Sequence, residues 1–520
     1  MRAMYFVLNF LLATASSPSE VNDNGACPVP PLPKHLTEFY INGEWVAPHQ
    51  GGTAFNVINP SFDEPVATIS LGSQPDTDKA VEAARKALPG WSQERSLDER
   101  KIFVEKLLNI YYRRSEEMAQ LISAEMGSPI DHARDAQTGS GSYHMEQFLR
   151  ALEHFEQEQL VPGVHPDEAS TTIYLEPIGV VALITPWNWP MNQVTLKVIP
   201  ALLVGCTCIL KPSEMAPLSS LLFAEMIDEA GFPPGVFNLI NGDGAGVGSQ
   251  LSAHNDIDMI SFTGSTRAGR LISQAAASSN LKKVSLELGG KGANIIFADV
   301  GSDLEEVVQS GVWSCFDNSG QSCNAPTRML VERSVYNQAV AIAAGMTNGK
   351  DVTTRTANTE GDFYGPVSSR AQFDRVQKFI QLGIDEGAKL VAGGLGRPDG
   401  TNGKGFFVRP TVFADVTADM TIMEEEIFGP VLSIMPFDTE KQAVEITNGT
   451  PYGLTNYVST QDPERRRRLA RLLESGMVEI NGVGADDGAP FAAVRASGNG
   501  REGGVFGMED FCVLKVVSGE

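Results

Sequence analysis

The hydrophobic pattern of the chain changes near residue 178, and the change separates two kinds of predicted structure. Before that point apolar residues recur at helical spacing. Residues 76–88 are rich in alanine, and the Pro-Gly pair that follows predicts the end of a helix there. Residues 98–126 form a longer helical stretch, enough for two helices closed by Gly127. We expect the folded domain to begin near Phe39.

After that point, short continuous apolar runs alternate with helical segments such as 218–230. Buried strands that alternate with helices predict a parallel sheet covered by helices on both faces. The runs fall into two successive series, which predict two α/β domains. The first series is 180–184, 207–210, 236–240, 259–262 and 284–288, and the second is 295–297, 329–331 and 431–434.

Two shorter segments fit neither series of strands. Residues 169–176 are rich in β-formers, and residues 492–517 are glycine-rich and then extended. Extended segments outside the main sheets often serve as arms that pair with another subunit. The arginine run 465–468 follows a proline and precedes leucines at helical spacing. We therefore expect it to be the solvated face of an amphipathic helix rather than a nucleic-acid contact.

Composition narrows the classes of partner. The chain has 520 residues, 42% hydrophobic and 20% charged, with a formal net charge of −24. An acidic surface repels phosphate backbones, which argues against nucleic-acid binding. The six cysteines form no CxxC pair and have no histidine at ligand spacing, so we expect neither a metal site nor a disulfide framework.

The N-terminal 36 residues predict a disordered lead-in that contains a signal-like stretch. Residues 5–15 are mostly apolar, Arg2 precedes them, and the run is too short to span a bilayer. A secretory signal, an organellar leader and a tail behind a misassigned start codon all fit this pattern. We expect no membrane span and a cytoplasmic protein, because an unpaired reactive thiol suits a reducing compartment. Export or an organelle stays open as the alternative.

Three residues carry the candidate chemistry. Cys323 directly follows a polar, turn-prone segment, where a substrate reaches a thiol more easily than inside an apolar strand. Upstream, Glu287 leads into paired glycines, and Asn188 stands between two tryptophans. A nucleophile, a possible base and a possible oxyanion donor together indicate covalent catalysis on a carbonyl.

Nucleotide-binding signals lie near strand ends. The glycines of 242–248 do not match the GxGxxG pattern and are weak support for phosphate contact. Residues 262–269 follow a buried strand and open a helix, whose first N–H groups suit a diphosphate. Lys211 and Glu214 also end a strand and have the right types to hold ribose hydroxyls, although a surface salt pair is the alternative for that motif alone.

Six motifs in order give the chain a resemblance to the NAD(P)-dependent aldehyde dehydrogenase superfamily. The resemblance runs from about Tyr40 to about Lys515. The family's cofactor domain lacks GxGxxG, which explains the failed match above. The motifs are PWNWP at 186–190, KPSE at 211–214, FTGS at 262–265, ELGGK at 287–291, GQSC at 320–323 and EIFGP at 426–430.

The resemblance implies a role for each site residue. Cys323 is implied as the nucleophile, Glu287 as the base that activates the deacylating water, and Asn188 as the oxyanion donor together with the backbone N–H of Cys323. We expect NAD as cofactor, with NADP less favoured, because a carboxylate on the 2′-hydroxyl repels a 2′-phosphate. The cofactor residues implied are Ile184, Trp187, Lys211, Glu214, Gly244, Phe262, Gly264, Ser265, Leu288, Glu426 and Phe428.

The same resemblance predicts the domain division and the assembly. Residues 37–156 and 178–289 are expected to form an NAD-binding domain and residues 290–488 a catalytic domain, each Rossmann-like. Residues 157–177 and 489–520 are expected to form a small β oligomerisation arm. The assembly is expected to be a homodimer or homotetramer.

The expected reaction is oxidation of an aldehyde to the acid through a cysteine thiohemiacetal and thioester. Transfer of the acyl group to coenzyme A is the first alternative, and Glu287 argues against it. A non-catalytic protein on the same scaffold is the second. The aldehyde itself is not identified by the residues implied at the pocket, which are Trp189, Asn192, Gln193, Leu196, Ser322, Asn324 and Phe491.

One departure from the family pattern lies near the C-terminus. Ala492 and Ala493 replace a glycine pair that is common there. If either position needs a positive φ, alanine costs roughly 1 kcal/mol or more. The nearby pair Asp486–Asp487 is expected to be a solvated loop, with repulsion of anionic substrates as the alternative.

Overall fold

The computed structural model describes residue 27 and the ranges 29–161, 170–348, 360–361, 364–399, 401 and 403–519. Within these residues the strands form two seven-stranded sheets, one three-stranded sheet and two pairs of strands. Both large sheets carry helices, as expected for the α/β class.

The first sheet contains the five strands of the first predicted series, which pair in parallel. Strand 180–184 lies near the centre and is fully buried, which explains its continuous apolar sequence. An antiparallel hairpin closes one edge through a turn at Asn42 and Gly43, both at positive φ. The strand order is Lys283–Glu287, Met259–Thr263, Val180–Ile184, Thr207–Lys211, Phe237–Leu239, Phe39–Ile41 and Glu44–Val46.

The second sheet contains the second predicted series and is parallel except at one edge strand. The order is Lys389–Ala392, Thr411–Ala414, Val431–Phe437, Arg328–Glu332, Ala293–Ile296, Thr455–Ser459 and Met477–Ile480. The separate strand pairs are Thr53–Asn59 with Glu64–Leu71 and Phe491–Ala492 with Arg501–Glu502.

Helices cover both sheets, and their apolar residues complete the core clusters. Those that precede or accompany the first sheet are Gln74–Ser92, Leu97–Arg113, Ser115–Met126, Ile130–His132, Gly139–Ala151, Pro190–Val204, Leu218–Ala230, Ser249–Ala253 and Thr266–Ser278, with π-helical turns at Ala133–Thr138 and Gly244–Gly248. Those that follow are Leu304–Phe316, Tyr336–Thr347, Arg370–Asp385, Thr421–Glu424, Glu440–Asn448, Pro463–Leu472 and Gly504–Glu509.

The predicted end of the first helix is wrong. The sequence predicts a helix over 76–88, but the helix runs from Gln74 to Ser92 and contains Pro89. Tertiary packing explains the extension. Trp91, in the last turn, is 1% exposed and its indole N–H donates to the carbonyl of Leu202 at 3.1 Å. Burial of that indole outweighs the local helix-breaking tendency.

Other helix boundaries match the sequence. The stretch 98–126 is two helices, and the second ends at Gly127, which has a φ of 79°. The helix 218–230 ends in the same way at Gly231, with a φ of 77°. Glycine adopts this left-handed conformation without the steric cost that a Cβ imposes.

The three-stranded sheet joins distant parts of the chain. Cys512–Ser518 pairs along its whole length with Thr171–Pro177, and the latter also pairs with Glu158–Val161. The stretch 492–517, expected to be glycine-rich and then extended, also contains the helix Gly504–Glu509. Residue 169 lies outside the described residues.

Alanine replaces the glycine pair without backbone strain. Neither Ala492 nor Ala493 is at positive φ, and Ala492 lies in a short strand. The non-glycine residue at positive φ in this segment is Arg495, with a φ of 58°. The cost considered for these alanines therefore does not arise.

The predicted lead-in extends to residue 36, but its last residues are packed. Leu36 contacts the main core cluster, and the backbone N–H of Lys34 donates to Glu225 at 2.7 Å. Positions 1–26, and with them the signal-like stretch, lie outside the described residues. None of the helices in the described ranges combines the length and apolarity that crossing a bilayer requires.

Candidate active site

The chain leaves two neighbouring strands of the first sheet in opposite directions, and a crevice is expected at such a point. Strands 180–184 and 259–263 are neighbours, yet the chain continues from the first towards strand 207–211 and from the second towards strand 283–287. Ligands of open α/β sheets bind at such a point, beyond the carboxyl ends of the strands. The predicted motifs at Trp187 and Gly264 follow these two strands directly.

The FTGS motif forms a helix N-terminus at this crevice. Ser265 caps the helix 266–278 by accepting a hydrogen bond from the N–H of Ala268 at 3.2 Å. Gly264 packs closely, because a Cβ there would lie 2.5 Å from the Phe262 ring. The first turn of the helix contains no acidic residue. Unpaired N–H groups and the helix dipole at this end suit a diphosphate.

The other predicted cofactor residues near the crevice also fit a dinucleotide. Lys211 is 3% exposed and lies 3.6 Å from the Glu214 carboxylate. Burial lowers the pKa of Lys211, and the charge of Glu214 opposes that shift. A Cβ on Gly244 would meet nothing within 4 Å, so this glycine borders open space. Ile184 and Leu288 belong to one apolar cluster with Phe262.

The EIFGP motif faces the first sheet from the second. The Phe428 ring meets the Trp187 ring edge-on, with centroids 5.5 Å apart. Phe428 has a φ of 60°, and its carbonyl accepts from the Gln372 amide at 2.6 Å. Glu426 accepts from the N–H of Gly290 at 2.9 Å, and burial raises its pKa to about 7. Through Trp187 and Gly290, this motif thus contacts segments that follow two strands of the first sheet.

The backbone before Cys323 is unusually constrained. Asn318, Ser319 and Gly320 are consecutive left-handed residues, with φ of 52°, 58° and 72°. A Cβ on Gly320 would lie 2.3 Å from the carbonyl of Gly429, so a larger residue does not fit. Strained backbone of this kind persists where the surroundings impose it, and it clusters at functional sites.

Asn188 lies against the same segment. Its side-chain amide donates to the carbonyl of Gln321 at 2.9 Å, and it is 4% exposed. The backbone carbonyl of Asn188 accepts from Asn318 at 2.9 Å and from the amide of Gln137 at 3.1 Å. The structure therefore brings the predicted oxyanion donor and the predicted nucleophile together.

Burial and nearby carboxylates raise the pKa of the Cys323 thiol. Burial raises the pKa of Cys323, and the charges of Glu426 and Glu287 raise it further. The thiol form therefore predominates at neutral pH in the protein without ligands. Within the described residues, neither carboxylate oxygen of Glu287 has a hydrogen-bond partner. Burial raises the pKa of Glu287 well above its usual value, and the charge of Glu502 adds to that shift.

Sequence reasoning missed three residues that act on this site. Gln137 lies in the π-helical turn 133–138, a feature often found at functional sites but not visible in sequence. Lys197 and Glu502 form a buried ion pair, and Lys197 partly offsets the pKa shift of Glu287. A lysine at the centre of the mostly apolar helix 190–204 was an available signal.

Comparisons with known proteins agree with this fold. The model of the Aldehyde dehydrogenase family matches residues 45–517. The chain is 46% identical to a 3-succinoylsemialdehyde-pyridine dehydrogenase from Pseudomonas sp over 93% of this chain and 98% of that protein. The fold is thus that of an α/β dehydrogenase. The chain belongs to the aldehyde dehydrogenase family, as its sequence predicted.

Solved structures extend the agreement to three dimensions. An aldehyde dehydrogenase from Bartonella henselae is 54% identical, with a TM-score of 0.89, over 93% of this chain and 99% of that chain. A cysteine-to-alanine variant of aldehyde dehydrogenase C from Pseudomonas syringae, in complex with NAD+ and octanal, is 44% identical, also with a TM-score of 0.89. That similarity covers 95% of this chain and 99% of the Pseudomonas syringae chain.

Proposed function

We propose that this protein oxidises an aldehyde to the carboxylic acid with NAD, through covalent intermediates on Cys323. The observation that carries the proposal is the junction of three segments at one thiol. Cys323 follows a strained turn, the Asn188 amide contacts the residue two positions before it, and the charge of Glu287 acts on its pKa. Nucleophile, oxyanion donor and base are the groups that acyl chemistry on a carbonyl requires.

In the first step the Cys323 thiol releases its proton to solvent, and the thiolate adds to the aldehyde carbon. The resulting oxyanion accepts hydrogen bonds from the Asn188 side-chain amide and from the backbone N–H of Cys323. Donors fixed in place for such an oxyanion contribute roughly 3–4 kcal/mol each in comparable sites. Bound NAD supplies the acceptor for the hydride that leaves the carbon, and a thioester on Cys323 remains.

In the second step Glu287 takes a proton from the water that attacks the thioester. Burial raises its pKa, so in its ionised form it is a stronger base than an exposed glutamate. Neither of its oxygens has a hydrogen-bond partner in the part of the chain that the structure describes, which leaves it free to accept that proton. The buried Lys197–Glu502 pair acts on this base through its charges.

We propose NAD rather than NADP because Glu214 would meet the 2′-phosphate of NADP. The Pseudomonas syringae structure with bound NAD+ supports this choice. Residues Ile184, Trp187, Lys211, Gly244, Phe262, Gly264, Ser265 and Leu288, with Glu426 and Phe428 at the far end, are proposed to hold the cofactor. Hydrolysis is proposed over transfer to coenzyme A because Glu287 is present.

For the substrate we propose an uncharged aldehyde with an apolar or aromatic body. The names of two relatives support this choice, because one was solved with octanal and the other is named for a pyridine semialdehyde. The carboxylate of Asp487, four positions before Phe491, is exposed and is paired with Arg150 at 3.2 Å and with the Tyr143 hydroxyl, which fits the expected solvated loop.

We also propose that the three-stranded sheet is the surface that joins subunits. Leu514 and Val516 project from one face of it and are 69% and 64% exposed. They pair with Leu175 and Ile173 on the neighbouring strand, which makes a contiguous apolar strip. The predicted domain division and the choice between dimer and tetramer stay predictions.

One assay tests the proposed reaction against its alternatives. Purified protein is incubated with NAD and a panel of aldehydes, with and without coenzyme A, and NADH formation is followed. We expect turnover of octanal without coenzyme A, and weaker turnover of aldehydes that carry a carboxylate. Turnover that requires coenzyme A would contradict hydrolysis, and silence across the panel, with the Cys323→Ala variant as baseline, would contradict the function.

A further inference from the structure

Cys323 occupies a central position of a four-residue turn. The N–H of Ala325 donates to the carbonyl of Ser322 at 3.2 Å, so Cys323 and Asn324 are the two residues between them. The backbone conformation of the two central residues of such a turn depends on how its first and last residues are held. Whatever fixes the two ends of this turn therefore fixes both the Cys323 sulfur and the Cys323 N–H.

Two aromatic side chains bind the turn from opposite sides. The indole N–H of Trp189 donates to the Ser322 hydroxyl at 2.8 Å. The hydroxyl of Tyr457 donates to the carbonyl of Asn324, also at 2.8 Å. The two anchors thus flank the nucleophile by one residue on each side.

The anchors come from different halves of the fold. Trp189 directly precedes the helix 190–204, beside the first sheet, and its ring lies 5.5 Å from that of His132. Tyr457 lies on strand 455–459 of the second sheet. A relative movement of the two halves would therefore pull on the turn from both ends.

The Cys323 carbonyl has little room to move if one of the two hydrogen bonds to the turn is lost. Its carbonyl packs so closely on Gly290 that a Cβ there would lie 2.2 Å from the oxygen. The part of the turn that can still rotate is therefore its other end, at the Asn324 carbonyl that accepts the Tyr457 hydrogen bond.

We propose that Trp189 and Tyr457 are positioning residues that clamp the Cys323 turn, so that its sulfur and N–H are aimed at the aldehyde together. This inference rests on the proposed function of the same site. Neither residue donates or accepts a proton in the reaction. Burial raises the pKa of Tyr457 well above its usual value, so its hydroxyl stays a donor across the working pH range.

The test is the variant Tyr457→Phe, which removes one hydroxyl and keeps the ring. The readout is the rate of the first NADH burst at saturating aldehyde, together with KM. We expect the burst rate to fall roughly three- to tenfold, because loss of one orienting hydrogen bond raises the barrier by about that factor. KM should stay unchanged. Trp189→Phe, which removes the indole donor, should lower the burst rate in the same direction.

The matched control is Tyr336→Phe. This tyrosine is also buried and its hydroxyl donates to Asp415 at 2.9 Å, but it does not contact the turn. The control should lose thermal stability and keep the wild-type burst rate. A Tyr457→Phe burst rate equal to wild type, or a fall no larger than that of Tyr336→Phe, would overturn the clamp.

A second readout needs no aldehyde and separates this inference from the proposed function. The rate at which iodoacetamide alkylates Cys323 is measured in wild type and in both clamp variants. We expect the rate to change at least about twofold in the variants, because the sulfur is no longer held in one direction. If wild type oxidises no aldehyde, the proposed function fails, and an unchanged alkylation rate would then overturn the clamp independently.

Discussion

Glu287 is a buried carboxylate without a hydrogen-bond partner among the described residues, and such a group is expensive to keep for stability alone. Its cost is understandable if it serves as the base for hydrolysis. Glu287→Gln keeps the shape and removes the proton acceptor. We expect the first turnover to give a burst of NADH of nearly one equivalent, followed by a steady rate reduced at least about 100-fold.

The burst and the steady rate are separated by stopped-flow absorbance of NADH. Glu479→Gln, on the edge strand 477–480, is the matched control and should keep the wild-type steady rate. A steady rate of Glu287→Gln equal to that of wild type would contradict its role as base. Loss of both burst and steady rate would assign Glu287 to the acylation step instead.

Negative charge around Cys323 gives a second prediction at the residue scale. Glu426 is the charge that contributes most to the raised pKa of the thiol. Because a nearby carboxylate disfavours the thiolate, Glu426→Gln should lower the pKa of Cys323. At pH 7.5 and without NAD, we expect alkylation by iodoacetamide to become roughly three- to tenfold faster, as for a shift of half to one pH unit.

Glu425→Gln, the exposed neighbour, is the control and should alkylate like wild type. Alkylation is followed by intact mass across pH 6.5 to 9.5. An alkylation profile of Glu426→Gln that coincides with that of wild type would show that this carboxylate does not suppress the thiolate.

At the scale of elements, the helix 218–230 begins on a buried carboxylate. Glu125 accepts hydrogen bonds from the N–H groups of Leu218 and Ser219, at 2.5 Å and 3.1 Å. Burial nevertheless raises its pKa to about 7. Between pH 4.5 and about 7, Glu125 keeps its proton in the folded protein and loses it in the unfolded chain. The free energy of unfolding therefore falls as pH rises through this range.

Replacement of this carboxyl by an amide removes that titration. In wild type the free energy of unfolding should fall between pH 5 and 8 as Glu125 titrates. In Glu125→Gln we expect this fall to be smaller by roughly 2–3 kcal/mol. Urea unfolding at a series of pH values measures it, with the exposed Glu82→Gln as control. An identical pH dependence in Glu125→Gln and wild type would contradict the buried, protonated state.

The strands were largely predictable because buried parallel strands have a strong local signature. Every apolar run of the two series overlaps a strand, and the helices closed by glycine end where predicted. The first helix was mispredicted because its continuation through Pro89 depends on Trp91 packing against Leu202, a residue far along the chain. A local pattern does not contain that contact.

The candidate site shows the same contrast between features visible in a local segment and features that depend on distant contacts. Cys323 was proposed as the nucleophile from a polar segment that is contiguous in sequence. Gln137, Lys197 and Glu502 were missed because each reaches the site only through the fold. The Lys197–Glu502 pair joins residues 305 positions apart, and nothing in either segment alone identifies the partner.

At the scale of the whole molecule, the site exists only where the two large sheets meet. Asn188 follows a strand of the first sheet, whereas Cys323 precedes a strand of the second. Trp187 and Phe428 touch across the same junction. The protein therefore assembles its chemistry from two α/β units, and the three-stranded sheet remains outside both.

The exposed strip on that sheet predicts the assembly. If it joins subunits, a charge placed in its centre must be desolvated, which is costly. We expect the double variant Leu514→Asp/Val516→Asp to shift the protein to monomers at micromolar concentration, measured by size exclusion with light scattering. Leu281→Asp, at an apolar residue exposed elsewhere, is the control and should keep the wild-type mass. An unchanged oligomer in the double variant would place the interface on another surface.

The most direct measurement of the central claim is the mass of the enzyme during turnover. Glu287→Gln is mixed with NAD and octanal, quenched in acid within the burst, and analysed intact and after digestion. The account predicts an added mass equal to the aldehyde less two hydrogens, located on Cys323. A burst of NADH with no added mass, or with the acyl group on another cysteine such as Cys315, would contradict it.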